Sequence, residues 1–302
     1  MVALEYLITG ILLGSIYSLV AIGFTLIFGV LDRLNIAHGA TLMVSAFAGA
    51  YISIRLGGKS SYLILALAFT CSVLTGALLG WLVRAVAFAP MRNASPLAPF
   101  VTSAAVALMI EELFVQLSRR VPQFSPEFTV FPSPLEDLVI TAGPIIIRGA
   151  HVVIFIIAAA VMVWLHRWVN GSSTGRAIRA VEENPQVAWL LGIDVRRVEL
   201  VVFMVASGIA GAAGCLIGVA QGVVSPFMGA NLLLTGFVII VLAGLGSLTG
   251  AMAGGLFVGV LETMTVGLVS ASMKEAVLFV ILFAVLVVRP QGLFARPTAA
   301  RD

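Results

Sequence analysis

From Tyr6 to Leu31 the chain carries no charged side chain, and runs of similar length and polarity recur to the C-terminus. Such runs are the strongest constraint here, because about 20 predominantly apolar residues make a helix long enough to cross a bilayer. Successive spans are predicted at Leu4–Val30, Ile36–Ile54, Tyr62–Ala87, Leu97–Leu117, Ile145–Trp168 and Leu200–Ala220. A Gly-rich stretch, Leu232–Val269, is long enough for two more, and Ala276–Val288 is the last. The count is about nine, with eight to ten open because Gly-rich segments also form re-entrant or broken helices. The composition agrees: 61% hydrophobic and 10% charged, against roughly 25% charged in a soluble domain. The expected fold is an all-α polytopic membrane protein in one domain, residues 1–302.

The N-terminus lacks a basic n-region and carries Glu5, so it is expected to be a true span rather than a cleaved leader. Short basic loops set orientation. Arg84 and Arg92, then Arg167, Arg176, Arg179, Arg196 and Arg197, then Arg289, Arg296 and Arg301 lie in three regions that the span count puts on one side. That side is expected to be cytoplasmic, with the N-terminus outside. The Pro-rich loop Arg119–Pro144 then falls outside and is expected to be irregular.

Several classes of function find no residues to carry them. Basic residues do not cluster with aromatics as in a nucleic-acid site. Cys71 and Cys215 sit singly in apolar runs and suit packing. His38, His151 and His166 lack metal-ligand spacing, and no nucleophile–base pair stands out, so neither a catalytic nor a metal site is expected. Gly58-Lys59-Ser60 ends like a phosphate loop, but Ser53 stands where its first glycine is needed. The chain is expected to bind no cofactor of its own.

Polar residues at membrane depth narrow the search. His38 stands beside Asn35 and Gly39 where the first two spans meet, either as a turn histidine at the interface or as a pathway residue at a broken helix. Glu111 and Glu112 point about 100° apart on a helix, so only one can face a given neighbour. The alternative for both is snorkelling to the interface. Gly244 and Gly246 open a stretch to Gly250 that either packs closely or unwinds to offer backbone groups to a solute. The segments from Phe24 to Gly39 and from Phe237 to Gly250 both break near a Gly-rich turn. That is the pattern of a parallel repeat, or of two Gly-rich segments alike by composition.

The most informative stretch is the loop 171–198. Arg176–Glu183 is predicted as a short helix, Asn184 as the N-cap of a second with Pro185 at its first position, and Gly192 as its stop. Ala177, Ile178 and Val181 form one apolar face; Val187, Ala188 and Leu191 form another. Such a knob either docks a partner or rests on lipid headgroups. If it docks, Ala188→Asp abolishes uptake without preventing insertion.

Four stretches, in order along the chain, resemble the branched-chain amino acid ABC transporter permease family, LivH-type subunit. They are Gly14–Gly23; Asn35-Ile-Ala-His-Gly39; Thr174–Ala180 with Asn184-Pro185 and Leu191-Gly-Ile193; and Leu242–Gly250 with Arg289-Pro-Gln-Gly-Leu-Phe294. The resemblance implies an ABC importer permease fold, alternating access, and location in a bacterial inner membrane. It implies a second, LivM-like permease subunit, two ATP-binding subunits that use ATP and Mg, and a periplasmic solute-binding protein. Thr174, Gly175, Arg176, Arg179, Glu183, Asn184, Pro185, Ala188 and Gly192 would form the coupling loop; Asn35, His38 and Gly39 would lie near the path. Ala40 follows His-Gly where some relatives have a carboxylate, which leaves amides, urea and other amino acids open as solutes. An ion-gradient transporter is the rival, but the membrane acids here lie near span ends.

Overall fold

The computed structural model describes residues 2–294 apart from 58, 60, 92, 93, 96, 126, 137, 143 and 144. Among the described residues, eight helical segments are long and apolar enough to cross a membrane. They contain α1 (Val2–Leu31), α2 (Ala37–Leu56), α3 (Tyr62–Val83), α4 (Leu97–Ser118) and α5 (Gly149–Gly171). After two short helices, α6 (Ser173–Glu183) and α7 (Pro185–Leu190), come α8 (Val195–Gln221), α9 (Met228–Ala243), α10 (Leu248–Leu268) and α11 (Lys274–Val288). Among the described residues α9 is short, 16 residues, or about 24 Å against a hydrocarbon core of about 30 Å, whereas α11 reaches 18 residues through the 3-10 turn Ala271–Met273 before it.

α1 is apolar all round and central, as such a helix must be; Ile16, Leu19, Val20, Ala21, Ile22 and Phe24 are buried. It runs antiparallel to α10 with backbones nearly touching. A Cβ on Gly14 would meet the Gly255 carbonyl and Leu256 Cα at 2.8 Å, and Ser18 Oγ donates to the Met252 carbonyl at 2.7 Å. The same chemistry joins α3 to α8, where Gly76 and Gly80 lie against the Ser207 and Phe203 carbonyls and Gly211 against that of Ser72. In lipid, apolar contact alone gives helices little reason to associate, so close packing at small residues does the work. By contrast the segment Ala271–Val288 is only 6% buried in its most apolar window, as a lipid-facing helix would be.

One end of the bundle gathers α6, α7, the start of α8, the end of α1 and the turn between α9 and α10. Glu182 lies against Gly29 and Gly246, and Arg84 pairs with Glu199 at 3.6 Å and donates to the Arg196 carbonyl at 3.1 Å. Arg84 begins a π-helical turn to Phe88, closed by Ala89 N–H donating to the Arg84 carbonyl at 2.8 Å. Residues 289–294 return here: Leu293 and Phe294 N–H donate to the Leu242 and Ala243 carbonyls, satisfying the last orphan acceptors of α9. The described basic residues Arg84, Arg196, Arg197 and Arg289 thus share one end; Arg92, Arg296 and Arg301 lie outside the described residues.

The opposite end carries β structure where an irregular loop was expected. β1 (Thr129–Val130) pairs antiparallel with β4 (Val223–Val224), and β2 (Val139–Ala142) pairs with β3 (Ile145–Arg148). Ile145–Arg148, expected as the start of a span, is therefore a strand, and the helix begins at Gly149. A short run of β-branched residues does not distinguish strand from helix by pattern. Gly14→Leu is expected to lower the apparent melting temperature in mild detergent by about 6–12 °C, through overpacking against α10. Gly171→Ala, which meets nothing within 4 Å, is expected to leave it unchanged.

Candidate functional site

α1 ends at Asp32, the single non-glycine residue at positive φ (52°) among the described residues. The chain then climbs back into the bundle, for α2 begins beside Gly23, about 12 Å up α1 from Leu31. Asn35 fixes the new start: its Oδ1 accepts from Ala37 N–H at 3.1 Å, and Ser103 Oγ on α4 accepts from Ile36 N–H at 3.2 Å. α9 begins in the same layer. A side chain on either Gly39 or Gly229 would overlap the other's carbonyl, so only glycine lets the first turns of α2 and α9 touch. Two helices therefore start inside the bundle, face to face.

A cavity of about 220 Å³ opens beside that contact. Ile36, Gly39 and Ala40 of α2 and Ala230 and Leu233 of α9 form two walls. Ala104, Ala107, Leu108 and Glu111 form the third; their spacing puts them on one face of α4. Its single acid is Glu111. Glu112 points elsewhere, exposed, and accepts from Gln116 Nε2 at 2.7 Å.

The residues singled out around the path separate. Gly39 lines the cavity and Asn35 caps the helix beside it. His38 does neither: it is fully buried against Gly23 and edge-on to Phe24 at 5.8 Å. Gly244 and Gly246 (φ 103° and 82°) form the turn between α9 and α10 at the far end, where Gly292 packs on Gly244. The two segments compared as a repeat lie side by side, Phe24 against Phe237 at 6.5 Å. Among the described residues no His, Cys, Asp or Glu cluster could hold a metal.

The loop at the other site is rigid. Ser172 caps α6 by accepting from Gly175 N–H at 2.9 Å, and Arg179 donates to the Val169 carbonyl, which also abuts Gly175 too closely for a Cβ. Asn184 Oδ1 accepts from Gln186 and Val187 N–H at 2.9 and 3.1 Å, with Pro185 at the first position of α7. Gly192, at φ 84°, turns the chain out, a conformation that costs side-chain-bearing residues about 1–2 kcal/mol. Thr174 is half-buried, and Arg176 and Glu183 are exposed. Ile178 and Val181 anchor α6, as expected.

α7 departs from the expected face. Ala188 is 1% exposed and points into the protein, while Val187 and Leu191 point out together with Trp189 (68%) and Leu190 (74%). On six residues a helical pattern fits either side, and tertiary contact chose. An Asp at 188 would thus unseat α7 rather than spoil its outer surface. Trp189 and Leu190 carried no sequence signal beyond being apolar in a polar loop. Glu111 carried one: the small residues Ala107 and Ala104, four and seven positions before it, on the same face.

The model of the family described as "Branched-chain amino acid transport system / permease component" matches residues 6–286. The chain belongs to this family. The permease is 32% identical to the high-affinity branched-chain amino acid transport system permease protein LivH of Salmonella typhimurium, over 97% of this chain and 96% of that one. It is 31% identical to BraD, so described, of Pseudomonas aeruginosa, with the same coverage. A structure titled PsaBC from Streptococcus pneumoniae in complex with Fab is similar in fold, with TM-score 0.50 and 12% identity over 95% of this chain and 92% of that one. The permease is thus a multi-pass membrane transport component with the importer permease fold. Asn184→Ala is expected to destabilise α7 by about 1 kcal/mol, speeding proteolysis between 184 and 192 several-fold, whereas Asn184→Asp keeps the cap and the wild-type rate.

Proposed function

We propose that the chain is the membrane-spanning permease subunit of an ATP-binding-cassette importer for branched-chain or related small amino acids, driven by separate ATPase subunits. The observation that carries this is α7. It is a capped, buttressed helix that ends in an exposed cluster of Val187, Trp189, Leu190 and Leu191. Burying each such side chain in a partner is worth roughly 1.5–3 kcal/mol, which is ample for a docking anchor. Gly29 and Gly246, against Glu182, link that knob directly to the ends of α1 and α9. A push on α7 therefore reaches α9, which meets α2 at Gly229 and Gly39, and α1, whose end leads into α2.

In this reading ATP binding draws two ATP-binding subunits together beneath the membrane. Their motion moves α6 and α7, and the cavity opens first to one side and then to the other. Only a difference in affinity between the two states can shift that balance. A second, LivM-like permease completes the path, a periplasmic binding protein delivers the solute, and the knob and C-terminus face the cytoplasm of a bacterial inner membrane. The chain itself binds no nucleotide and performs no catalysis. Amino-acid transport by the curated relatives supports the solute class; their names specify branched-chain amino acids.

Trp189→Ala combined with Leu190→Ser is expected to abolish ATP-driven leucine uptake and co-purification of the ATP-binding subunit, while membrane levels stay normal. Uptake driven by an ion gradient without ATP, by this chain alone in liposomes, would instead establish a secondary transporter.

A further inference from the structure

The cavity beside Gly39 opens on the surface of the bundle rather than being sealed within it. Its one polar side chain is Glu111, on α4 within the span Leu97–Ser118. Among the described residues Glu111 makes no ion pair or side-chain hydrogen bond. Two other acids within spans do find partners: Glu262 takes Lys274 at 2.9 Å, and Glu112 takes Gln116. A carboxylate at membrane depth without a partner is costly, and such groups face a water-filled cavity or a solute. On α9, Asn231 is exposed beside the lining residue Ala230.

The remaining lining is aliphatic and small, chiefly Ile36, Leu108 and Leu233. At about 220 Å³ the space is below the roughly 300–1,000 Å³ that holds drug-sized ligands. A single fixed anion among aliphatic walls matches a small solute with one cationic group and an apolar side chain.

We propose that this cavity is a solute subsite in which the Glu111 carboxylate takes the ammonium group of an amino acid while Ile36, Leu108 and Leu233 receive its aliphatic side chain. This rests on the importer reading and adds to it the residue that distinguishes an amino acid from a neutral amide or a carboxylic acid. The start of α9 at Gly229, held against Gly39, sets the width of the site, so movement of either helix opens or closes it.

The test uses the transporter purified with its partner subunits, with Cys71 and Cys215 replaced by Ala and Ala230→Cys placed in the cavity wall. Labelling of the new thiol by a membrane-impermeant methanethiosulfonate is followed with leucine or with 4-methylpentanoate, which is leucine without its ammonium group. Leucine is expected to slow labelling, and 4-methylpentanoate is not. With Glu111→Gln, half-protection is expected to need about ten- to a hundredfold more leucine, the loss of one charged hydrogen bond. Glu111→Asp is expected to retain most of the protection, and Glu112→Gln all of it.

ATP-driven leucine uptake by the same preparation is measured alongside. Uptake with equal protection in wild type and Glu111→Gln, or with no protection or no labelling at all, overturns the subsite and leaves the importer reading intact. Absence of ATP-driven uptake by a stable complex overturns the importer reading and removes this one with it.

Discussion

The near-contact of backbones between α1 and α10 is the constraint on which the rest of the bundle depends. Gly10, Gly14, Gly255 and Gly259 leave no room for side chains, and Ser18 crosses the gap to the Met252 carbonyl. In a lipid surround the apolar faces of these helices have as good a partner in acyl chains as in each other. Association must come from close dispersion contact and from hydrogen bonds between helices. With α1 fixed in this way, the positions of its neighbours follow: α8 past Gly23, α9 past Val20, and α6 beneath Gly29.

That central pair frames two helices that do not cross in the ordinary manner. α2 starts partway up α1, and α9 is too short to cross the hydrocarbon unaided. Irregular backbone at such depth is tolerated only where protein covers it or water reaches it. Here Asn35 and Ser103 satisfy the start of α2, and residues 293–294 satisfy the end of α9. The discontinuities therefore leave a cavity while the backbone groups named here keep partners. A packed bundle with two starts in contact is the kind of element that has discrete arrangements rather than gradual deformation, as a gate requires.

In the proposed reading the loop 171–198 is the mechanical counterpart at the other end of the bundle. Caps at Ser172, Asn184 and Asp194 hold three successive helix starts, the rigidity that the proposed docking role requires. Its cluster of exposed apolar side chains lies at the end of a lever whose inner arm is Glu182 against Gly29 and Gly246. Cap chemistry is local, which is why Asn184, Pro185 and Gly192 were legible before any fold was known. The strands β1 and β4 were not, because Thr129–Val130 finds its partner nearly a hundred residues away.

By itself the sequence determined the solvent, a count of eight to ten helices with approximate limits, and the two capped helices of the loop. Each follows from properties a short window contains: apolar length, cap residues and glycine at positive φ. Tertiary structure alone decided which face of each element mattered. Ala188 turned inward and Trp189 outward because α7 is seated on the protein by one small residue. His38 was buried against Gly23 while Gly39, one residue on, reached the cavity wall. Glu111 rather than Glu112 met the start of α9 because α4 leans its small-residue face toward α2. In an all-apolar helix no hydrophobic periodicity marks the inner face, so orientation is set by backbone contacts between distant segments.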